Sequence, residues 1–163
     1  MKPIKIEMSF ILFTLVMSNT MPIFAQMQTP EEYLALKKIL EAGQYVFHAQ
    51  VVTPLSGDEK LVTEDYFLAV TKDSVMADLP YLGQVYAVPM NTNDIGIKFT
   101  AHKYDYMLRE RKKGGFDISV VPQNVRDHNV LKISIYKGGA TYLYVTNNSR
   151  QSISFRGYIS ASR

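Results

Sequence analysis

Hydrophobic spacing changes character along the chain, and each change predicts a different kind of element. After Lys2 and Lys5 comes a largely apolar run from Met8 to Met17, about ten residues long and well short of the roughly 20 that a helix needs to cross a bilayer. From Thr29 the apolar positions fall into a stripe of Leu34, Leu36, Ile39 and Leu40, which predicts a helix. Thr29 reads as its N-cap, Pro30 as its first residue, Glu31 and Glu32 as acids against the positive helix end, and Gly43 as its stop. About 12 residues make a marginal helix in isolation, so it is expected to lie against the rest of the domain.

From Gln44 the period becomes two. Tyr45, Phe47, Ala49 and Val51 alternate with Val46, His48, Gln50 and Val52 up to Thr53 and Pro54, which predicts a strand. A second strand is expected over 61–71 through Tyr66, Leu68 and Val70, and a short third over 75–77. Pro80, Gly83 and Pro89 make 79–89 an irregular edge or crossover. After a polar loop at 91–94, Ile95, Ile97, Phe99 and Ala101 predict a strand running on through Tyr104, Tyr106 and Leu108. Gly114–Gly115, Gly138–Gly139 and Asn147–Asn148 mark hairpin turns that separate strands through Phe116 to Val120, Leu131 to Ile135, Tyr142 to Val145 and Ile153 to Ile159. Turns this tight favour antiparallel pairing. The expectation is a mainly β fold, an antiparallel sandwich or partly open barrel of about eight to ten strands with one N-terminal helix.

The charged start, the apolar run and the polar break that ends at Ala25 have the order of a secretory signal peptide, with cleavage between Ala25 and Gln26. The chain then divides into a signal at 1–25, an N-terminal segment and helix at 26–43, and an antiparallel β domain at 44–163. Removal of Lys2, Lys5 and Glu7 from 18 basic and 15 acidic residues leaves a formal charge of +2, which argues neither for nor against an acidic partner. No cysteine is present, so disulfides, thiolate metal sites and a lipid anchor on a mature N-terminal cysteine are all excluded. The reading is an exported protein of a Gram-negative envelope, periplasmic or secreted, with no membrane span, lipid anchor or nucleic-acid partner.

Candidate chemistry is sparse. His48, His102 and His128 stand apart without metal-ligand spacing, and neither Asp73 with Asp78 nor Asp105 with Glu110 defines an acid–base pair. No catalytic residue, metal site or cofactor is therefore expected. Arg109, Arg111, Lys112 and Lys113 crowd one hairpin, where charge keeps a turn solvated and discourages edge pairing. Asp73, Ser74 and Val75 match a short bacterial O-glycosylation pattern and mark Ser74 as a modification candidate. Tyrosine is the unusual residue, with 11 copies and no tryptophan. Its ring is apolar and its tip polar, suited either to covering a half-exposed sheet face or to lining a wet groove. Tyr142 and Tyr144 share a strand face opposite Leu143 and Val145, and with Tyr81 and Tyr86 they are the candidate ligand-binding residues.

Three segments carry a resemblance: Leu79-Pro-Tyr-Leu-Gly-Gln-Val-Tyr86, Ile95-Gly-Ile-Lys-Phe99, and Ser149-Arg-Gln-Ser-Ile-Ser-Phe-Arg-Gly-Tyr-Ile159. Together they resemble domain of unknown function 4251, a family of secreted bacterial envelope proteins with a signal peptide and one mostly β domain, over roughly residues 40–160. Gln84 stands where the resemblance implies a basic residue, which argues against anion binding there. The resemblance implies compartment and fold but no activity or catalytic residue. Gly83 and Gly157, each next to aromatics, suit bulges or close backbone approach, and Arg150 and Arg156 suit strand-edge carbonyls or acids.

The leading expectation is a non-enzymatic exported binding module for a small apolar or peptide-like ligand. The alternatives are an envelope structural or protein-interaction domain, and a hydrolase whose groups converge only in three dimensions.

Overall fold

The computed structural model describes residues 29–86, 96–126 and 129–162. The helix, α1 (Pro30–Glu41), begins where the sequence places it. The Glu32 N–H donates to Thr29 Oγ1 and the Thr29 N–H donates to the Glu32 carboxylate, a reciprocal box that satisfies two otherwise orphaned donors. The chain leaves the helix through Gly43 at φ +60°, a conformation that side chains disfavour. Leu36 and Leu40 are fully buried, and at about 1.5–3 kcal/mol each they supply the stability that so short a helix lacks alone.

Ten strands follow among the described residues: β1 (Tyr45–Pro54), β2 (Lys60–Leu61), β3 (Phe67–Val70), β4 (Val75–Leu79), β5 (Ile97–Ala101), β6 (Tyr104–Glu110), β7 (Gly115–Pro122), β8 (Val130–Tyr136), β9 (Thr141–Thr146) and β10 (Ile153–Ala161). Every pairing is antiparallel, in the order β5-β4-β3-β1-β10-β9-β8-β7-β6, with β2 paired to β1 off this path. The sheet curls into a nearly closed barrel. Its two end strands, β5 and β6, are consecutive in the chain and separated only by His102 and Lys103.

The interior is filled by alternate side chains of nearly every strand, with Phe47, Leu68, Leu79, Ile118, Leu131, Leu143 and Phe155 almost completely excluded from solvent. At the seam, side-chain hydroxyls hold what strand pairing does not. Tyr104 Oη donates to the Thr71 carbonyl in the β3–β4 turn, and Tyr106 Oη donates to the Leu40 carbonyl in the last turn of α1 at 2.8 Å. Tyr106 is pushed up to about 12, chiefly by burial, so its phenol stays a protonated donor at physiological pH, and burial also raises Tyr45 beside it. Tyr33 closes the helix onto β7 by stacking on Phe116 at 5.0 Å, while its hydroxyl donates to Glu110 at 2.7 Å.

Three expectations of regular alternation are corrected. The stretch 61–71 is interrupted, leaving β2 and β3 as separate short strands on β1. The long strand expected from Ile95, which lies outside the described residues, to Leu108 is two strands at opposite ends of the sheet order, and the inward positions pass from Ile97 and Ala101 to Tyr104 and Tyr106 across the link. In β1, a bulge between Ala49 and Val51 leaves Gln50 as an extra residue, so Val52 joins Phe47 and Ala49 in the core instead of sharing a face with His48. Opposite the bulge, Gly157 lies so close to β1 that a Cβ would stand 1.8 Å from the His48 carbonyl oxygen. Only glycine fits.

Gly157→Ala should therefore destabilise the fold by at least the upper part of the about 1–3 kcal/mol typical of overpacking, because a backbone atom rather than a flexible side chain is in the way. Urea unfolding of the variant is expected to show a lower midpoint. An unchanged midpoint would mean that β1 and β10 separate locally at little cost.

Candidate binding face

The four antiparallel pairings from β6 to β10 place the side chains of the outer sheet surface in rows. Across β6 to β10, Arg109, Asp117, Ser134, Tyr142 and Arg156 are successive cross-strand partners. In the next row stand Met107, Ser119, Lys132, Tyr144 and Ser154. This face is uncommonly rich in exposed large side chains: Met107 is 70% accessible, Tyr136 48%, Tyr142 42% and Tyr144 41%. A shallow groove of about 330 Å³ runs over β6–β8, lined by Met107, Arg109, Asp117, Ser119, Lys132 and Ser134.

Asp117 organises one side of it. Its carboxylate accepts from Arg111, from Arg109 at 3.3 Å and from Ser134 Oγ at 3.1 Å. The Arg111 guanidinium in particular holds the carboxyl at about 2, well below the usual range. Arg111 in turn lies 4.4 Å above the Tyr136 ring centroid, and Tyr136 meets Tyr142 edge to face at 5.8 Å. A chain of contacts thus runs from a fixed carboxylate to an exposed aromatic ring.

The four tyrosines singled out by the sequence do not share a site. Tyr142 and Tyr144 lie side by side on the outer face, as their alternation with Leu143 and Val145 requires. Tyr81 is a buried residue of the core, which corrects its assignment to a ligand-facing row. Its hydroxyl donates to the Gln84 carbonyl at 2.7 Å, its ring packs beneath Arg150 at 5.2 Å, and burial raises its pKa. It fastens the irregular segment to the start of β10, where Val85 bridges Arg150 and the Tyr86 N–H donates to the Ser149 carbonyl. Tyr86 is 65% exposed beside that bridge, away from the β9 pair along the chain and the sheet.

The remaining candidates are dispersed. His48 stacks on Tyr158 at 4.8 Å with Nε2 2.9 Å from Ser160 Oγ, and burial lowers its pKa. His102 is exposed at the β5–β6 link, and His128 lies outside the described residues. Asp105 accepts from Gln123 at 3.0 Å, whereas Glu110 accepts from Tyr33 and Lys37 on the helix side, so the two carboxylates do not meet. Asp73 lies in the β3–β4 turn and Asp78 faces Lys98 at 3.7 Å. Ser74 is half-buried in that turn, its hydroxyl 3.0 Å from Thr71 Oγ1. Arg150 donates to the Gly96 carbonyl at 3.1 Å and Arg156 faces Glu59 at 4.0 Å, the two kinds of partner expected for them. Ala25 and Gln26 lie outside the described residues. Among the described residues no helix is long and apolar enough to cross a membrane, and no group of three histidine or acidic side chains could hold a metal ion.

Asp117, Lys132, Ser134 and Met107 were not picked out from the sequence. The signal that finds them is hairpin register: Arg109 and Asp117 are equidistant from the 111–115 turn, and Lys132 and Tyr144 from the 137–139 turn.

Fold and face together define a class: a mainly β domain, an antiparallel and nearly closed barrel capped by one N-terminal helix, with a hydroxyl-, cation- and aromatic-bearing outer surface. The family model for Domain of unknown function (DUF4251) matches residues 27–159, and the chain belongs to this family. The crystal structure of a DUF4251 family protein from Bacteroides eggerthii DSM 20697 is similar in fold, with a TM-score of 0.61 and 17% sequence identity over 79% of this chain and 87% of that one. No curated protein matches the chain.

Asp117→Asn removes the charge that orders Arg111. Because the folded-state pKa is depressed, the carboxylate's contribution is fully present above about pH 4 and is lost as pH falls through about 2. The variant is expected to be less stable by about 1–2 kcal/mol at pH 7, a figure already reduced for solvent screening of a partly exposed pair. Urea midpoints of the two proteins should converge by about pH 2; a gap that stays constant with pH would contradict the charge-based account.

Proposed function

We propose that this protein is a non-enzymatic binding module of the bacterial envelope, exported by the N-terminal signal, that holds its ligand on the outer face of β8–β10. The observation that carries this reading is the contrast between the two sides of the sheet. The inner side is packed with aliphatic and aromatic side chains, whereas the outer side exposes three tyrosines and a methionine. Small ligands ordinarily occupy concave sites; the exposed tyrosines and methionine instead border a shallow groove on the outer surface.

The interaction-domain alternative draws on the same exposed face. A hydrolase reading rests on the His48–Ser160 contact alone, and among the described residues no carboxylate is hydrogen-bonded to the other ring nitrogen of His48 to orient it.

Native mass spectrometry of the protein purified from its own envelope fraction tests the proposal. A bound adduct is expected on the wild type and its loss on a Tyr142→Ala/Tyr144→Ala variant. Adducts equally abundant on both proteins, or bare monomer from both, would overturn it.

A further inference from the structure

Building on that surface reading, we infer that the ligand is an acidic carbohydrate, a sugar chain bearing carboxylates, seated across β8, β9 and β10. The inference comes from what the face offers and what it withholds. β9 lies between β8 and β10, and both of its edges are engaged in ladders. An extended peptide brings a backbone donor and acceptor with every residue and ordinarily satisfies them by adding to a free sheet edge. Neither edge of β9 is free. A sugar chain instead presents hydroxyls that side chains and water can satisfy, and C–H faces whose weak positive polarity suits the negative face of an aromatic ring.

The side chains match that demand. Tyr142 and Tyr144, two residues apart on one strand, start from backbone positions about 6.8 Å apart along the same face. Each has a cation as its direct cross-strand partner, Lys132 beside Tyr144 on β8 and Arg156 beside Tyr142 on β10. Ser134 and Ser154 occupy the other two partner positions, so the tyrosine pair is flanked by two cations on one diagonal and two hydroxyls on the other. Among the described residues Lys132 has no ion-pair partner, and Arg156 reaches Glu59 only at 4.0 Å with both side chains more than half exposed. Asp117 does not compete for these cations, since Arg109, Arg111 and Ser134 already engage it. Its contacts hold Arg111 over Tyr136, and Tyr136 braces Tyr142. The ring that receives the sugar is therefore oriented before binding, which lowers the ordering cost.

Affinity electrophoresis and calorimetry with three probes decide the matter: polygalacturonate, a neutral galactan, and poly-glutamate. Wild-type protein is expected to bind polygalacturonate, to bind galactan at least about tenfold more weakly, and to lose affinity as salt screens the two cations. Tyr144→Ala, Lys132→Gln and Arg156→Gln, all exposed positions, are each expected to weaken polygalacturonate binding by about tenfold with unchanged circular dichroism. Tyrosine-dependent binding of poly-glutamate in preference to polygalacturonate would overturn the carbohydrate assignment while leaving the surface reading intact. Binding that tracks charge alone, identical in wild type and Tyr144→Ala, or no binding to any probe, would overturn the carbohydrate assignment; equal native-mass adducts on the tyrosine double variant would remove the surface reading itself.

Discussion

The structure depends on how a ten-stranded sheet closes when its two end strands follow one another in the chain. β5 and β6 do not pair with each other although only two residues separate them, so the barrel is held at this corner by covalent continuity and by phenol hydroxyls. Tyr104 ties β6 to the β3–β4 turn, and Tyr106 ties it to the end of α1. The Leu40 carbonyl accepts from Tyr106 in addition to the Gly43 N–H, and both tyrosine bonds form in partly buried surroundings, where an intramolecular hydrogen bond contributes about 0.5–1.5 kcal/mol. With the seam held, the inward residues of both halves meet in one core.

That closure decides where chemistry is possible. Among the described residues Phe47, Phe155 and a set of leucines and isoleucines occupy the inner side of the sheet, and the outward residues are left to meet solvent or a partner. The same ladders that close the barrel also fix the outer rows, so a backbone built for stability places Asp117, Arg111, Tyr136 and Tyr142 in sequence. Tyrosine thus serves both sides of the sheet: its hydroxyl bonds the interior together at Tyr104, Tyr106 and Tyr81, and its ring is displayed outside at Tyr142 and Tyr144.

Much of this was legible in the sequence. Thr29, Pro30 and Glu32 announced the helix start, and the glycine and asparagine turns announced the hairpins from β6 to β10. The bulge at Gln50 was not, because period-two reading has no mark for an inserted residue, although the unsubstitutable Gly157 opposite it is its trace. The break between β5 and β6 has a clearer sign in the sequence: apolar positions change from odd to even numbers between Ala101 and Tyr104, which a single straight strand cannot accommodate on one face. Tyr81 was misplaced for a different reason. Alternation cannot say which side of an irregular segment is buried, and only the neighbouring Arg150 and the Gln84 carbonyl fix its direction. Asp117 and Lys132 escaped notice because their meaning lies in cross-strand neighbours and not in any local motif.

Native-state hydrogen exchange on the wild type and a Tyr106→Phe variant tests the role of the seam most directly. If the phenol hydroxyl holds β6 and α1 to the barrel, its removal should speed exchange in α1 and β6 while amides of β1, β9 and β10 keep their protection. Equal loss of protection across all strands, or none in α1 and β6, would contradict a seam fastened by side-chain hydroxyls.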